Sequence, residues 1–175
     1  MNISKKVAFS VIEIVVVLAV MVILAAVAMV KLGTYDNMKL DAAARKVASD
    51  IRYAQRYTMT QMQRVWIDFD LVNERYSIKE GVSPFNVITD PLTKGSFVVD
   101  FNSGELKGVK INTSNFGGRE DLGFSDSLGR PCGVQLGTFD APSSFTTPGS
   151  VSISYKTLPQ KTISVEPETG EVSIQ

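Results

Sequence analysis

The sequence predicts an α+β fold in which one long N-terminal α-helix packs on antiparallel β-sheets. Residues 9–63 contain no proline and a single glycine, so a helix can run through them without a strong break. All seven prolines follow residue 83, and short alternating apolar and polar segments separated by turn residues fill the chain from residue 65 onward. One helix followed by a series of strands is the element order of α+β proteins.

The first part of the predicted helix is an apolar run over residues 9–30. As an α-helix it is about 33 Å long, which is enough to cross a hydrocarbon core of roughly 30 Å. Lys5 and Lys6 precede the run, and such flanking charges favour a cytoplasmic N-terminus. We therefore predict a transmembrane helix over residues 9–30, with the remainder of the chain on the far side of the membrane.

One acidic residue, Glu13, lies inside this apolar run. An ionised carboxylate in hydrocarbon costs on the order of 2 to 3 kcal/mol or more, so the default interpretation is a functional residue with a partner that neutralises it. The alternative is that Glu13, which lies four residues inside Phe9, extends its side chain to the lipid headgroups.

Three interpretations of the N-terminal segment compete. Ala26-Val27-Ala28 offers the small-x-small pattern of a secretory signal cleavage site, although the apolar stretch before it is longer than the usual run of about 7 to 15 residues. A plain N-terminal anchor leaves Glu13 unexplained. In the third interpretation a peptidase cuts after Ala8, and the apolar helix stays in the mature protein.

The third interpretation matches a known pattern. After the two leader lysines, Phe9-Ser10-Val11-Ile12-Glu13-Ile14 resembles the class III leader region of type IV pilins and of the pseudopilins of type II secretion. The resemblance implies that a prepilin peptidase cuts between Ala8 and Phe9, and that the new amine of Phe9 can be N-methylated. It also implies that Glu13 pairs with the amine of a neighbouring subunit during assembly. Ala8 departs from the family, in which glycine is usual at this position.

The second part of the predicted helix, over residues 31–64, is amphipathic and continues into the globular domain. Its apolar positions recur at three- and four-residue steps, which predicts one stripe that packs on a sheet, with a smaller role in helix-to-helix contact within a filament. The stripe consists of Leu40, Ala44, Val47, Ile51, Ala54, Thr58 and Met62. The charged residues of this segment, Asp50 among them, fall mainly off the stripe.

Residues 65–175 predict a β domain. In the first strand Val65, Ile67 and Phe69 alternate with polar or amphipathic residues, as expected of a half-buried strand. Three hairpins are predicted from such segments: 65–69 with 76–78, 97–101 with 109–111, and 162–165 with 171–174.

The composition gives little support to an enzyme. The chain has no histidine, which removes the usual general base and the commonest metal ligand, and the single cysteine, Cys132, is predicted to be a structural thiol. The glycines of residues 117–133 are not followed by the Gly-Lys-Ser/Thr of a phosphate loop. Asp121 and Asp126 offer oxygens to calcium, but we interpret them as solvated loop carboxylates. We predict no cofactor and no metal.

The order of segments after the leader narrows the resemblance. An Ala- and Arg-rich helix, the strand from Val65, a Gly129-Arg130-Pro131 turn and a closing hairpin are similar to the GspH/FimT-like minor pseudopilins and minor pilins. This implies a leader over residues 1–8 and a single-pass protein of the bacterial inner membrane with a periplasmic C-terminal domain. It also implies a role at or near the tip of a type II secretion pseudopilus, which helps to export folded proteins. The alternative is a minor pilin of a type IV pilus.

The partners implied are other pilin-like subunits, the prepilin peptidase, the inner membrane and secreted cargo. Some FimT-like members bind DNA, which requires a basic surface. The tail after Lys161 contains three glutamates and no Lys or Arg, so nucleic acid is disfavoured as a partner. Lys+Arg and Asp+Glu both number 18, so the whole chain has no basic excess. The remaining source of a basic patch is a set of four arginines: Arg52, Arg56, Arg64 and Arg75.

Overall fold

The computed structural model describes residues 10–81, 85–125, 128–135 and 138–175, with side chains described except at 27–34 and 135–142. The chain divides into two compact units, with the boundary between Asn37 and Met38.

The single helix of the described residues, α1, extends over Val11–Gln61. In its first turn the backbone N–H groups of Glu13 and Ile14 both donate to the carbonyl oxygen of Ser10, at 3.0 and 3.2 Å. The helix ends at Gln61 because Met62 has a φ of 52°, in the left-handed region that stops helical hydrogen bonding.

Eleven strands follow within the described part of the chain. They are β1 (Val65–Asp70), β2 (Arg75–Glu80), β3 (Asn86–Val87), β4 (Val98–Asp100), β5 (Val109–Asn115), β6 (Asp121–Phe124), β7 (Pro131–Gln135), β8 (Thr138–Ser143), β9 (Gly149–Tyr155), β10 (Lys161–Val165) and β11 (Val172–Ile174).

The strands form two antiparallel sheets. The larger sheet has the order β3-β2-β1-β6-β7-β8, with β4 also paired to β2, and the smaller has the order β11-β10-β9-β5. In the larger sheet Ile67 of β1 is the Cα partner of Ile78 of β2, and in the smaller sheet Val151 of β9 is the partner of Ile163 of β10. These registers place β-branched side chains next to each other on one face of each sheet, where they are buried.

The second half of α1 and both sheets share one hydrophobic core. Helix residues from Leu40 to Ala54, Ile67 and Ile78 of the larger sheet, and Ile153 and Ile163 of the smaller sheet belong to the same buried cluster. The predicted α+β fold, with the helix packed on antiparallel sheets, is therefore confirmed. A second small cluster, of Trp66, Phe85, Cys132 and Val134, lies apart from this core.

The burial of two helix-segment residues, Met62 and Asp50, differs from the pattern that the predicted stripe describes. Met62 is 79% exposed because it lies beyond the end of α1, where the three- and four-residue repeat no longer applies. Asp50, which lies off the predicted stripe, is nevertheless only 5% exposed. Its burial is compatible with folding because hydrogen bonds from two other residues satisfy the carboxylate, as described below.

The first and last predicted hairpins are confirmed, whereas the middle hairpin is wrong. Residues 98–100 pair with β2 of the larger sheet, and residues 109–115 pair with β9 of the smaller sheet. Gly104 and Gly108, with φ of 67° and 92°, lie in the segment between them. This segment carries the chain from one sheet to the other, so residues that are adjacent in sequence do not pair.

A pair of alanine variants tests how the stripe contributes to stability. Ile51→Ala should lower the free energy of unfolding by about 2 to 5 kcal/mol, because Ile51 is 1% exposed and the deletion leaves a cavity in the shared core. The matched variant Met62→Ala should change it by less than about 0.5 kcal/mol. Urea unfolding followed by circular dichroism measures both values. Similar losses for the two variants would contradict this assignment of the core.

Candidate functional site

The described part of the first unit presents an apolar surface with one acid. Twelve large apolar side chains between Val11 and Leu24 are each 47 to 78% exposed. Glu13 is the only charged residue between Ser10 and Ala26, and it is exposed as well. An apolar surface of this extent is typical of a segment that contacts lipid or another protein.

Glu13 lies in the first turn of α1. There the unpaired backbone N–H groups carry a partial positive charge, which stabilises a carboxylate by about 0.3 to 1 kcal/mol. Helix geometry therefore tolerates the acid, but it does not require one in an apolar surface. Chemically, the arrangement offers one negative charge surrounded by hydrocarbon, for which the matching partner is a single cation.

Several predicted residues lie outside the part of the chain that the structure describes. These are the leader lysines Lys5 and Lys6 and the cleavage residues Ala8 and Phe9. The cleavage and methylation assignments therefore stay predictions, and so do the domain boundaries that depend on them.

Within the described residues, no helical segment is both long enough and apolar enough to cross a membrane. The transmembrane helix over residues 9–30 stays a prediction.

The structure places most of the helix stripe inside the second unit. Leu40, Ala44, Val47, Ile51, Ala54 and Thr58 are all 2% exposed or less. Their neighbours are the sheets of the same chain, so these side chains are already covered. This face of the helix is therefore not available for contacts outside the chain.

A buried polar network, which the sequence analysis missed, joins α1 to the larger sheet. Both carboxylate oxygens of Asp50 accept hydrogen bonds from Lys46 Nζ at 2.7 Å, and Tyr76 Oη of β2 donates to Oδ2 at 2.6 Å. Burial raises the pKa of Asp50, against the opposing effect of these two hydrogen bonds. Burial also raises the pKa of Tyr76 well above 10. The available sequence signal was the spacing of Lys46 and Asp50, four residues apart on one helix face.

Near its end, α1 is joined to one turn from each sheet. Gln55 Nε2 donates to the carbonyl oxygens of Gly129 and Thr169, both at 2.9 Å, and Arg52 Nη2 donates to the carbonyl oxygen of Val172 at 2.7 Å. Gly170 has a φ of 69°, and a Cβ there would lie 2.4 Å from Gln55 Nε2. Glycine at this position therefore permits the close approach of the closing hairpin to the helix.

Asp121 belongs to β6 and is fully buried, which corrects its interpretation as a solvated loop carboxylate. Its Oδ1 accepts a hydrogen bond from the backbone N–H of Phe69 at 3.1 Å, while Oδ2 has no hydrogen-bond partner. Burial, with a smaller effect from the Asp68 charge, raises the pKa of Asp121 from 3.8 to about 7. Asp126 lies outside the described residues.

The described residues give no indication of a metal or catalytic centre. No cluster of three or more potential metal ligands occurs among them. A groove of about 340 Å³ is lined by residues that include Arg130, Cys132, Phe145 and Glu168. Cys132 is 5% exposed, and the chain has no histidine to act as its base.

Comparison with known proteins identifies the fold. No family model and no curated protein sequence matches the chain. Among solved structures, the minor pseudopilin EpsH from the type 2 secretion system of Vibrio cholerae matches with a TM-score of 0.55 and 13% identity, over 78% of this chain and 96% of that one. The type IV minor pilin FimU of Pseudomonas aeruginosa matches with a TM-score of 0.52 and 16% identity, over 80% and 90%. The chain therefore has a pilin-like fold.

The buried carboxyl group of Asp121 predicts a pH-dependent stability. Because its pKa in the folded chain is about 7 against an ordinary 3.8, the folded state keeps a proton that the unfolded state has released. The free energy of unfolding should therefore fall as the pH rises from about 4 to about 7, by roughly 2 to 4 kcal/mol from this group. The variant Asp121→Asn should lose this part of the pH dependence.

Urea unfolding of both proteins at pH values between 4.5 and 8 measures the effect. Asp100→Asn is the matched control. The backbone N–H of Asn102 donates to this exposed carboxylate and lowers its pKa. Asp100 therefore contributes to the pH dependence of the free energy of unfolding with the opposite sign. An unchanged pH slope in Asp121→Asn would show that this carboxyl group is not the source.

Proposed function

We propose that this chain is a minor subunit of a pilin-like filament, located at or near the tip of a type II secretion pseudopilus. The observation that carries the proposal is Glu13, the single charge within the exposed apolar surface of α1. The pilin-like fold of the remainder of the chain supports it, since minor subunits of two filament systems share that fold. In this role the chain is a structural component and not an enzyme.

In the proposed pathway the precursor enters the inner membrane with Lys5 and Lys6 on the cytoplasmic side. A prepilin peptidase then cuts between Ala8 and Phe9, and the new amine can be methylated. The β domain lies in the periplasm. The apolar helix surface contacts lipid before assembly and other apolar helices within the filament.

The proposed function of Glu13 is to set the register of assembly. The amine that cleavage creates at Phe9 of a neighbouring subunit is a single cation in an apolar setting, which is the partner that the Glu13 site requires. Either charge alone in hydrocarbon is penalised by several kcal/mol, whereas the pair largely cancels this cost. A subunit is therefore held where the two charges meet and is disfavoured one helical turn away.

The second candidate is a minor subunit of a type IV pilus, which the similarity to FimU favours. The two roles share a fold and a mode of assembly, and they differ in the process that the filament performs. Deletion of the gene distinguishes them: loss of protein export with intact pili indicates the secretion role, and loss of pili with intact export indicates the pilus role.

A nucleic-acid role receives less support. Arg52 donates to a backbone carbonyl of β11, and the Arg75 guanidinium is 3.0 Å from Asp70 Oδ2. Two of the four arginines that could form a basic patch therefore already make contacts within the chain. These contacts leave them less able to bind phosphate.

One prediction of this proposal concerns proteolytic processing of the N-terminus. Intact-mass measurement and N-terminal sequencing of the protein from its native membrane should show a start at Phe9, with or without one methyl group. A start near Met29 would indicate an ordinary secreted domain and exclude a role for Glu13 in the mature protein. An uncleaved Met1 would indicate a plain anchor.

Another prediction of this proposal concerns the charge of Glu13. Glu13→Gln keeps the shape of the side chain but leaves the partner amine unpaired, so incorporation into filaments should fall on the order of 100-fold. The matched variant Glu105→Gln removes an exposed charge from the globular unit and should assemble normally. Incorporation is measured by the amount of the variant that is recovered with sheared filaments. Normal incorporation of Glu13→Gln would refute the register mechanism, while circular dichroism verifies that both variants are folded.

A further inference from the structure

The outer face of the smaller sheet is polar but almost without charge. Along β9, Val151 and Ile153 point into the core, and the residues between them point to the opposite face. The same alternation holds in β5, with one register shift after Ile111, and in β10 and β11. The outward residues are Lys110, Asn112, Thr113 and Asn115 of β5, Ser150, Ser152 and Ser154 of β9, Thr162 and Ser164 of β10, and Ser173 of β11; Ser152 among them is only 5% exposed.

These residues form ordered rows across the strands. One row contains Thr113, Ser152 and Thr162, and its Thr113 and Ser152 hydroxyl oxygens are 2.6 Å apart. The next row contains Ser150 and Ser164, with Asn115 and Ser173 at its two ends. Neighbours within a row lie about 4.8 Å apart, and successive rows lie about 7 Å apart.

The outer side of the larger sheet is different, because it carries charge pairs. Lys79 pairs with Asp68, and Arg75 pairs with Asp70. Paired charges are the usual way to solvate an exposed sheet face. The centre of the outer face of the smaller sheet, by contrast, consists of uncharged polar residues.

The exposed charges on the outer face of the smaller sheet lie at its two ends and are opposite in sign. Lys110, which is the Cα partner of Ser154, and Lys156 lie at one end. Glu166 and Glu171 lie at the other end, where the N–H of Glu166 donates to the carbonyl oxygen of Glu171 at 2.9 Å. All four side chains are exposed. The face therefore has a basic end, an uncharged centre and an acidic end.

We propose that this face is a contact surface between two copies of the chain. The two faces pack about a twofold axis that lies between them and crosses the strands. This arrangement reverses the strand direction, so the basic end of each copy lies over the acidic end of the other. In the centre, identical side chains meet, and hydroxyl groups allow this because each one both donates and accepts hydrogen bonds. A protein partner fits better than a polysaccharide, since no aromatic side chain lies on this face for a sugar ring to stack on.

The proposed contact is weak because its area is small. Four strands of about five residues present roughly 300 Å² per copy, so the dimer buries about 600 Å², well below the roughly 1,200 Å² of a stable interface. Weak contacts of this kind become effective when both copies are held close together by another part of the chain. The proposal concerns only the folded second unit and does not depend on the identity of the filament.

Disulfide trapping of the purified full-length chain in a non-ionic detergent tests the contact, because it captures short-lived dimers. Ser164→Cys introduces a thiol at the centre of the face with little change in size. The native Cys132 is buried, so the unmodified chain provides a low background. Asn86→Cys, at an exposed position of the larger sheet, is the matched control. Ser164→Cys should form disulfide dimers about tenfold faster than Asn86→Cys. Equal rates would overturn the proposal.

Charge reversal then tests the orientation. In the Ser164→Cys background, one variant carries Lys110→Glu with Lys156→Glu, and the other carries Glu166→Lys with Glu171→Lys. Each variant alone places like charges over each other at both ends, and its trapping rate should fall to that of the control. In a mixture of the two, each end of one protein meets opposite charge on the other, so mixed dimers should form at the parental rate. Parental rates for the separate variants, or no recovery in the mixture, would refute the proposed orientation. Thermal unfolding verifies that each variant is folded.

Discussion

The packing of one face of α1 against two sheets at once is the constraint on which the remainder of the second unit depends. Leu40, Val47 and Ile51 are buried in a core to which both sheets contribute. The two sheets need a common surface because neither can bury its inner face alone. Polar contacts fix the position of the helix on this surface: Asp50 bonds to β2, and Gln55 bonds to one turn from each sheet. Apolar packing supplies the stability, and these directional bonds select one register of helix against strands.

How much of this fold the sequence predicts depends on the range of the interactions involved. Helix periodicity and strand alternation are local, and they correctly predicted α1, the first hairpin and the closing hairpin. The buried carboxylates were missed because burial of an acid depends on distant partners. Tyr76 lies 26 residues from Asp50, and Phe69 lies 52 residues from Asp121. The middle hairpin failed for a related reason, since the strands on either side of the Gly104 turn belong to different sheets and pair with segments that are far away in sequence.

For the candidate site, too, the sequence and the structure supply different information. Glu13 could be singled out from the sequence alone because one acid within a long apolar run is costly when the run lies in hydrocarbon; its role stays a proposal. The structure adds that the neighbouring apolar side chains are exposed, while those of the stripe from Leu40 onward are covered by the chain's own sheets. This contrast separates the apolar side chains of the first part of the helix from those of the amphipathic second part. The apolar side chains of the first part of α1 are exposed, whereas those of the second part are buried against the sheets of the same chain.

This division of the helix gives a physical reason for the polar contacts in the core. In the proposed filament subunit, any force on the second half of α1 acts on its junction with the two sheets. A purely apolar junction resists separation well but resists sliding poorly, because hydrophobic contacts have little directional preference. The hydrogen bonds from Tyr76 to Asp50 and from Gln55 to the Gly129 and Thr169 carbonyls are directional, and a shift of one helical turn breaks them and leaves buried polar groups unsatisfied. The buried Asp50 therefore helps to fix the register of the larger sheet on the second half of α1.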